Sequence, residues 1–205
     1  MSKKIVVKTP ATSANLGSGF DCLAIALDLF NTVSVEIGDK NFRVIGEGEN
    51  ELPVDENNLI YKVIKLVMDQ QGYNVPELNI TCENHIPISR GLGSSAAAIV
   101  TGLLIGNQLS ENHLSTKDLF ALGSEIEGHS DNIAATLFGG CQIVVQDKKI
   151  NSNVLIPKNL NVVLYIPKEH ISTDQARSVL PSSIAYSDVT HNLGRIALLI
   201  NSLNK

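Results

Sequence analysis

Two glycines and two serines in the run Gly91-Leu92-Gly93-Ser94-Ser95 stand directly ahead of an almost uninterrupted apolar stretch, residues 96–109. Glycine lets a backbone take positive φ and approach a ligand closely. Serine hydroxyls cap helix starts. The free N–H groups of a first helical turn, with the positive end of the helix dipole behind them, receive phosphate. The same residues also make an ordinary capped turn into a buried helix. Two common phosphate loops do not fit. The chain contains no Gly-Lys pair, so it has no Walker A loop. A dinucleotide fingerprint needs an apolar strand before its first glycine, whereas Ile86-Pro87-Ile88-Ser89-Arg90 stands there and proline cannot donate to a ladder.

A second group, residues 125–132, holds Glu125, Glu127, His129, Asp131 and Asn132. A carboxylate and a hydroxyl suit Mg²⁺, which keeps several waters and binds through one or two carboxylates plus phosphate. Zinc fits less well, since no second His or Cys stands at ligand spacing. These residues also read as a solvated helix end with Asp131 capping the next helix. A third group, residues 9–21, is dense in small and hydroxyl side chains. There Asn15 and Asp21 suit a polar substrate, or else belong to a turn bonded by its own side chains.

The elements that must position these groups are legible in outline. A first strand over 5–7 stops at Pro10, and 32–37 alternates as a strand with 42–45 as its hairpin partner across the turn 38–41. An amphipathic helix spans 57–71 and ends at Gly72; a strand follows at 78–82. Residues 96–109 are apolar on nearly every side and predict a central buried helix. A capping-box-like start at Ser115 opens a helix to Glu127, and a short helix runs from Asp131 to Gly139-Gly140. Strands are expected at 141–145 and 162–166, and helices at 172–179 and 188–203. Hairpin-like strands mixed with helices favour an α+β fold over a doubly wound parallel sheet.

Composition narrows the function. Sixteen Lys and Arg against 21 Asp and Glu give a net charge of −5 with no basic stripe, which argues against a nucleic-acid partner. An anionic small ligand stays open, because backbone N–H groups hold one without basic side chains. Cys22, Cys82 and Cys141 are odd in number and far apart, so neither a disulfide framework nor a zinc site is expected and a cytoplasmic setting fits. The apolar run after the basic start, Ile5-Val6-Val7, is too short for a signal peptide, and no stretch approaches a membrane span.

Taken together, the three groups resemble the GHMP small-molecule kinases, and within them the homoserine kinase family, over essentially all 205 residues. TPATSANLGSGFD (9–21) is similar to that family's opening motif, and PISRGLGSSAA (87–97) to its nucleotide-phosphate loop. EGHSDN (127–132), followed by Gly139-Gly140, is similar to its middle motif, and STDQARSVLP (172–181) resembles a later segment with a substrate-holding arginine. The resemblance implies a two-domain GHMP-kinase-like fold, its N-terminal domain similar to the ribosomal protein S5 domain 2-like fold. Residues 1–157 would form that ATP-binding domain, and 158–205 the start of a second α+β domain, incomplete here.

The implied reaction is transfer of the ATP γ-phosphoryl group to the hydroxyl of L-homoserine, on the route to threonine. Pro87, Ile88, Ser89, Arg90, Gly91, Leu92, Gly93, Ser94, Ser95, Ala96 and Ala97 would cradle the triphosphate. Ser95 and Glu127 would hold Mg²⁺. Asn15, Asp21, His129, Asn132 and Arg177 would form the homoserine pocket, with Arg177 on the carboxylate and Asp21 on the ammonium. Asn132 would orient the hydroxyl, and Asn132 and Glu127 are the catalytic candidates. Superfamily members with a catalytic base pair an aspartate with a first-motif lysine; Thr12 stands where that lysine would fall, so no strong base is expected. Neither nucleic acid nor membrane is implied as a partner, and a homodimer is possible.

The family's second Gly-rich motif and second substrate arginine do not occur in the chain, whose last glycine is Gly194. The expectation is therefore a homoserine kinase lacking its C-terminal part. Such a chain would bind ATP weakly and turn over poorly, and its last helix would show an unpacked face of Leu193, Ile196, Ala197 and Ile200. Competing readings are a sister kinase for mevalonate or a sugar, an RNA-contacting module of the same fold, and a non-catalytic fragment.

Overall fold

The computed structural model describes residues 4–110, 114–166 and 173–204. Its frame is a six-stranded mixed sheet of β1 (Ile5–Ala14), β2 (Leu23–Ile37), β3 (Asn41–Gly46), β4 (Leu78–Asn84), β5 (Cys141–Val145) and β6 (Ile150–Val154), in the order β3-β4-β2-β5-β6 with β1 on β2. The longest strand, β2 (Leu23–Ile37), pairs along one edge with β1 (Ile5–Ala14). On its other edge, β4 (Leu78–Asn84) takes residues 32–37 and β5 (Cys141–Val145) takes residues 23–25. Between these two partners the Asn31 side chain accepts the N–H groups of His85 and Ile86, at 2.7 and 2.9 Å. This satisfies the backbone where the ladder stops and aims the chain leaving β4 toward the glycine-rich turn.

Two strand expectations need correction. β3 (Asn41–Gly46) is not the hairpin partner of β2; it pairs in parallel with β4, which lies between them. The short connection 38–40 therefore passes the start of β4, where the N–H of Gly38 donates to Glu77 O. Helix α1 (Leu59–Gln70) makes β3-α1-β4 a crossover unit. The turn residues were read correctly, but a strand arriving forty residues later takes the central place. The expected strand at 162–166 does not form: Val163 and Tyr165 are 93% and 91% exposed. Alternation alone does not make a strand without a neighbour to pair with. The strand β6 (Ile150–Val154), not anticipated, closes the far edge against β5.

β1 also runs past Pro10. Its register on β2 shifts between Pro10 and Thr12, so a single residue of β1 faces three of β2. Up to that shift the odd-numbered residues alternate inward; after it, Ala11 and Thr12 are both fully buried. An irregularity of this kind re-aims a side chain. Here it turns Thr12 inward, toward the helix layer.

That layer is α1, α2 (Ser94–Leu109), α3 (Thr116–Glu127) and α4 (Asp131–Phe138). α2 is central, as its all-round apolar character predicts. Gly102 and Gly106 let it lie directly on α1: a Cβ at Gly102 would stand 2.6 Å from Val63 Cβ, and one at Gly106 2.8 Å from Val67 Cβ. Such a fit fixes the helix pair rigidly. α3 carries the expected capping box between Ser115 and Asp118 and ends on Gly128 at φ 83°. Residues α5 (Thr173–Ser178) and α6 (Tyr186–Leu203) complete the description; the start of the expected helix at 172 lies outside the described residues. The expected unpacked face on α6 is corrected in part: Ile196 and Ile200, with Leu199 and Leu203, pack against the cluster of Leu23, Ala11 and Leu92, while Leu193 and Ala197 stay exposed. Gly19 admits this contact, since its Cβ would lie 3.2 Å from Ile196 and 2.5 Å from Leu23.

Candidate active site

The glycine-rich turn is held open by its backbone. Ser89, Gly91 and Gly93 all have φ between 55° and 69°, a region where a non-glycine residue costs about 1 kcal/mol or more. Gly93 is the N-cap of α2 and has no side chain to accept from the first turn, so the first N–H groups of that helix remain for an incoming group. Thr12 N–H donates to Leu92 O at 3.0 Å and pins the turn to β1.

Facing the turn, the C-terminal end of α3 and the N-terminal end of α4 bring three groups together. Ser95 Oγ donates to Glu127 Oε2 at 2.7 Å. His129 stands between two carboxylates, its Nδ1 3.3 Å from Asp131 Oδ1 and its Nε2 4.0 Å from Glu127 Oε1. Thr12 Oγ1 donates to Asn132 Oδ1 at 2.7 Å. The end of α3 is tied down from outside by Gln146, whose Nε2 donates to Gly128 O at 3.1 Å, and by the Lys149–Glu125 ion pair.

The electrostatics follow from burial and neighbours. Burial lifts the Glu127 carboxyl above its ordinary range, opposed by the Ser95 hydrogen bond and by His129. The Asp131 side chain raises His129 against the effect of burial. Asp131 is 1% exposed. Burial pushes it up, yet the His129 side chain and the N–H of Asn132, 2.8 Å from its Oδ1, hold it below the usual carboxylate value. Both effects favour the ionised form of Asp131 beside Asn132, with the His129 ring next to it.

The residues around the third group meet at the mouth. Asn15 takes φ 60° and accepts the Asp21 N–H through Oδ1 at 2.8 Å. Arg177 of α5 reaches back 156 positions and forks onto Asp21, at 3.1 and 2.5 Å, with its guanidinium over the Phe20 ring. The sequence reading assigned Asp21 and Arg177 to opposite ends of one ligand; in the structure they are bonded to each other.

A single cavity of about 750 Å³ joins these parts. The turn 88–95, Ala97 and Asn15, Glu127, His129, Asp131, Asn132 and Arg177 line it; Asp21, Pro87 and Ala96 stand outside its lining. Elsewhere its lining mixes the apolar Val44, Leu52, Pro53 and Ile60 with Asn57, Asn58 and Asn84. Sequence reasoning missed Thr12 as a site residue. Its position inside the opening motif was the only signal, because the register shift that turns it inward has no local signature.

The residues fit a divalent cation that brings its own phosphate and water ligands. Ser95 and Glu127 are hard oxygen donors within hydrogen-bond distance. Among the described residues no cluster of three or more His, Cys, Asp or Glu forms a cage of its own.

Comparison with known proteins agrees with this geometry. The model of the GHMP kinases N terminal domain matches residues 58–140. Homoserine kinase of Clostridium botulinum (strain Langeland) is 42% identical over 202 residues, 98% of this chain and 67% of its own length. That of Caldicellulosiruptor bescii is 39% identical, over 97% of this chain and 66% of its own. The crystal structure of homoserine kinase from Cytophaga hutchinsonii, 32% identical, superposes with a TM-score of 0.81 over 100% of this chain and 68% of that one. The phosphomevalonate kinase of Streptococcus pneumoniae shares the fold alone, with a TM-score of 0.66 at 16% identity over 98% of this chain and 73% of that one. The fold is that of a GHMP kinase, a small-molecule phosphotransferase. Within that class the chain belongs to the homoserine kinase family, and it spans about two thirds of the length of the relatives it matches.

Proposed function

We propose that the protein transfers the γ-phosphoryl group of Mg²⁺-ATP to the side-chain hydroxyl of L-homoserine, giving O-phospho-L-homoserine for threonine biosynthesis in the cytoplasm. The observation that carries this reading is the convergence of the Ser95–Glu127 pair, Asn132 and the start of α2 on one cavity. The N–H groups of the turn 91–97 receive the triphosphate, and the part of the cavity around Leu52 and Ile60 takes the adenine ring. Residues 1–157 act as the nucleotide-binding unit and 158–205 begin the unit that brings Arg177 to the substrate.

Phosphoryl transfer needs positioning and charge neutralisation more than covalent help. When bound to Ser95 and Glu127, Mg²⁺ supplies charge neutralisation at the transferring group. Asn132 contacts the reacting oxygens, next to Asp131, whose Oδ1 lies 3.3 Å from His129 Nδ1 and accepts the Asn132 N–H. At the mouth, a zwitterionic amino acid exchanges with the Asp21–Arg177 pair, its carboxylate taking the Arg177 fork and its ammonium the Asp21 oxygens. His129 and Asn15 flank that seat.

Arg177→Ala tests the substrate assignment in the full-length gene product. Losing a charge-assisted bidentate contact is expected to raise KM for homoserine by about 10-fold or more, with a smaller change in kcat and in KM for ATP, read by coupled ADP release. A change confined to the ATP constant would place Arg177 on the nucleotide instead.

A further inference from the structure

Four asparagines line the part of the cavity around Leu52 and Ile60: Asn31, Asn57, Asn58 and Asn84. Asn57 is exposed. Asn58 is used at both ends, accepting the Ile60 N–H at Oδ1 and donating from Nδ2 to Pro53 O. Asn31 and Asn84 are buried, and each is used at one end only. Asn31 Oδ1 accepts two backbone N–H groups, those of His85 and Ile86. A backbone N–H can only donate, so the oxygen must face them and Nδ2 must be the free end. Asn84 Nδ2 lies 3.1 Å from Glu47 O. A carbonyl can only accept, so the nitrogen is fixed there and Oδ1 is the free end. Neither free end has a partner among the described residues, and neither is sealed from solvent.

The two side chains are neighbours. β2 and β4 pair as far as Thr32 with Glu83, and Asn31 and Asn84 occupy the next position on each strand. They continue the face of Val33 and Cys82, which also line the cavity. Opposed side chains stand about 5 Å apart at Cβ, close enough to reach two adjacent atoms of one flat ring. The segment 46–52 closes on the same wall: a Cβ at Gly48 would stand 2.4 Å from Ile88 and 2.7 Å from Leu52. We infer that Asn31 and Asn84 read the C6 edge of the nucleotide base. The Asn31 amide donates to a ring nitrogen beside C6, and Asn84 Oδ1 accepts from the amino group on C6. This deepens the functional reading above and rests on it. Adenine carries that acceptor and that donor side by side. In the same pose guanine and hypoxanthine turn an oxygen toward Asn84 Oδ1, two acceptors with no proton between them. Buried polar groups left unpaired give a site its strongest discrimination. The apolar residues of the wall accept any flat ring; the two amides decide which.

Calorimetric binding of Mg²⁺-nucleotides to the full-length gene product tests this without relying on turnover. GTP and ITP should bind about 10²-fold more weakly than ATP. Purine riboside triphosphate, which lacks the amino group, should bind about tenfold more weakly. So should one of 1-deaza-ATP and 7-deaza-ATP, each of these losses being that of one hydrogen bond. Asn31→Asp keeps the oxygen that holds His85 and Ile86 and replaces the free N–H donor by a second oxygen. It should bind ATP about tenfold more weakly or worse, and should no longer favour ATP over the deaza analogue that the unmutated protein rejects. Its KM for homoserine should stay within about threefold. The analogue series needs no variant to fold. GTP bound as tightly as ATP, or both deaza analogues bound as tightly as ATP, overturns the inference and leaves the kinase reading standing. An Asn31→Asp protein that melts normally yet still rejects the same deaza analogue overturns the role of Asn31. Failure to bind any of these nucleotides takes down the functional reading, and this inference with it.

Discussion

Glu127→Gln is expected to reduce kcat by about 10² or more while leaving the fold intact. The amide keeps the shape of the side chain and can still accept the Ser95 hydroxyl at Oε1, so the packing of α3 against α2 does not change. What disappears is a full negative charge, 11% exposed, beside the start of α2. Burial already raises the Glu127 carboxyl, which means the protein spends stability to keep an ionisable group there. A cation relieves that cost, and without the charge it binds weakly. The Mg²⁺ concentration for half-maximal rate should therefore rise together with the fall in kcat. Unchanged kcat at saturating Mg²⁺ would reduce Glu127 to a helix-end carboxylate, held in place by Ser95 for structural reasons alone.

Gly93→Ala should be comparably damaging, and Gly91→Ala much less so. Both glycines have nearly the same φ, 68° and 69°, so the backbone strain from a side chain is alike, about 1–2 kcal/mol. Their surroundings differ. Nothing lies within 4 Å of a Cβ at Gly91, whereas at Gly93 the Thr12 hydroxyl is 2.0 Å away. To admit a methyl group, Thr12 or the turn must shift by about 1 Å, and Asn132 shifts with it. Misplacement on that scale costs on the order of 10² in rate. Expected results are a kcat about 10²-fold lower for Gly93→Ala, against less than about tenfold for Gly91→Ala, with both proteins folded by circular dichroism. Equal losses in the two variants would show that conformational freedom alone, and not the approach of Thr12, requires glycine at 93.

The contrast between these glycines illustrates what was legible in the sequence. That the turn 91–95 needed glycines and led into a buried helix could be read directly, because positive φ and an all-round apolar run are local properties. So could the capping box at Ser115 and the stop at Gly139. The chemical groups were legible by type: Ser95, Glu127, His129 and Asn132 do converge on one cavity. Their partners were not. The Thr12–Asn132 bond spans 120 positions and the Arg177–Asp21 fork 156, and no periodicity encodes such contacts. The same limit explains the error at β3. Turn residues at 38–40 announce a reversal, but only the later arrival of β4 decides which strand sits beside β2. For 162–166 the alternation was real, and the missing quantity was a neighbour.

The central claim is that the cavity phosphorylates the hydroxyl of an amino acid. The most direct measurement is phosphoryl transfer by the purified full-length gene product, with Mg²⁺-ATP and L-homoserine, mevalonate or galactose supplied separately, and the product identified by ³¹P NMR. The account predicts O-phospho-L-homoserine, with kcat/KM for homoserine at least about 10²-fold above either alternative, because only homoserine offers a carboxylate and an ammonium to Arg177 and Asp21. Preferential phosphorylation of mevalonate or galactose would contradict it.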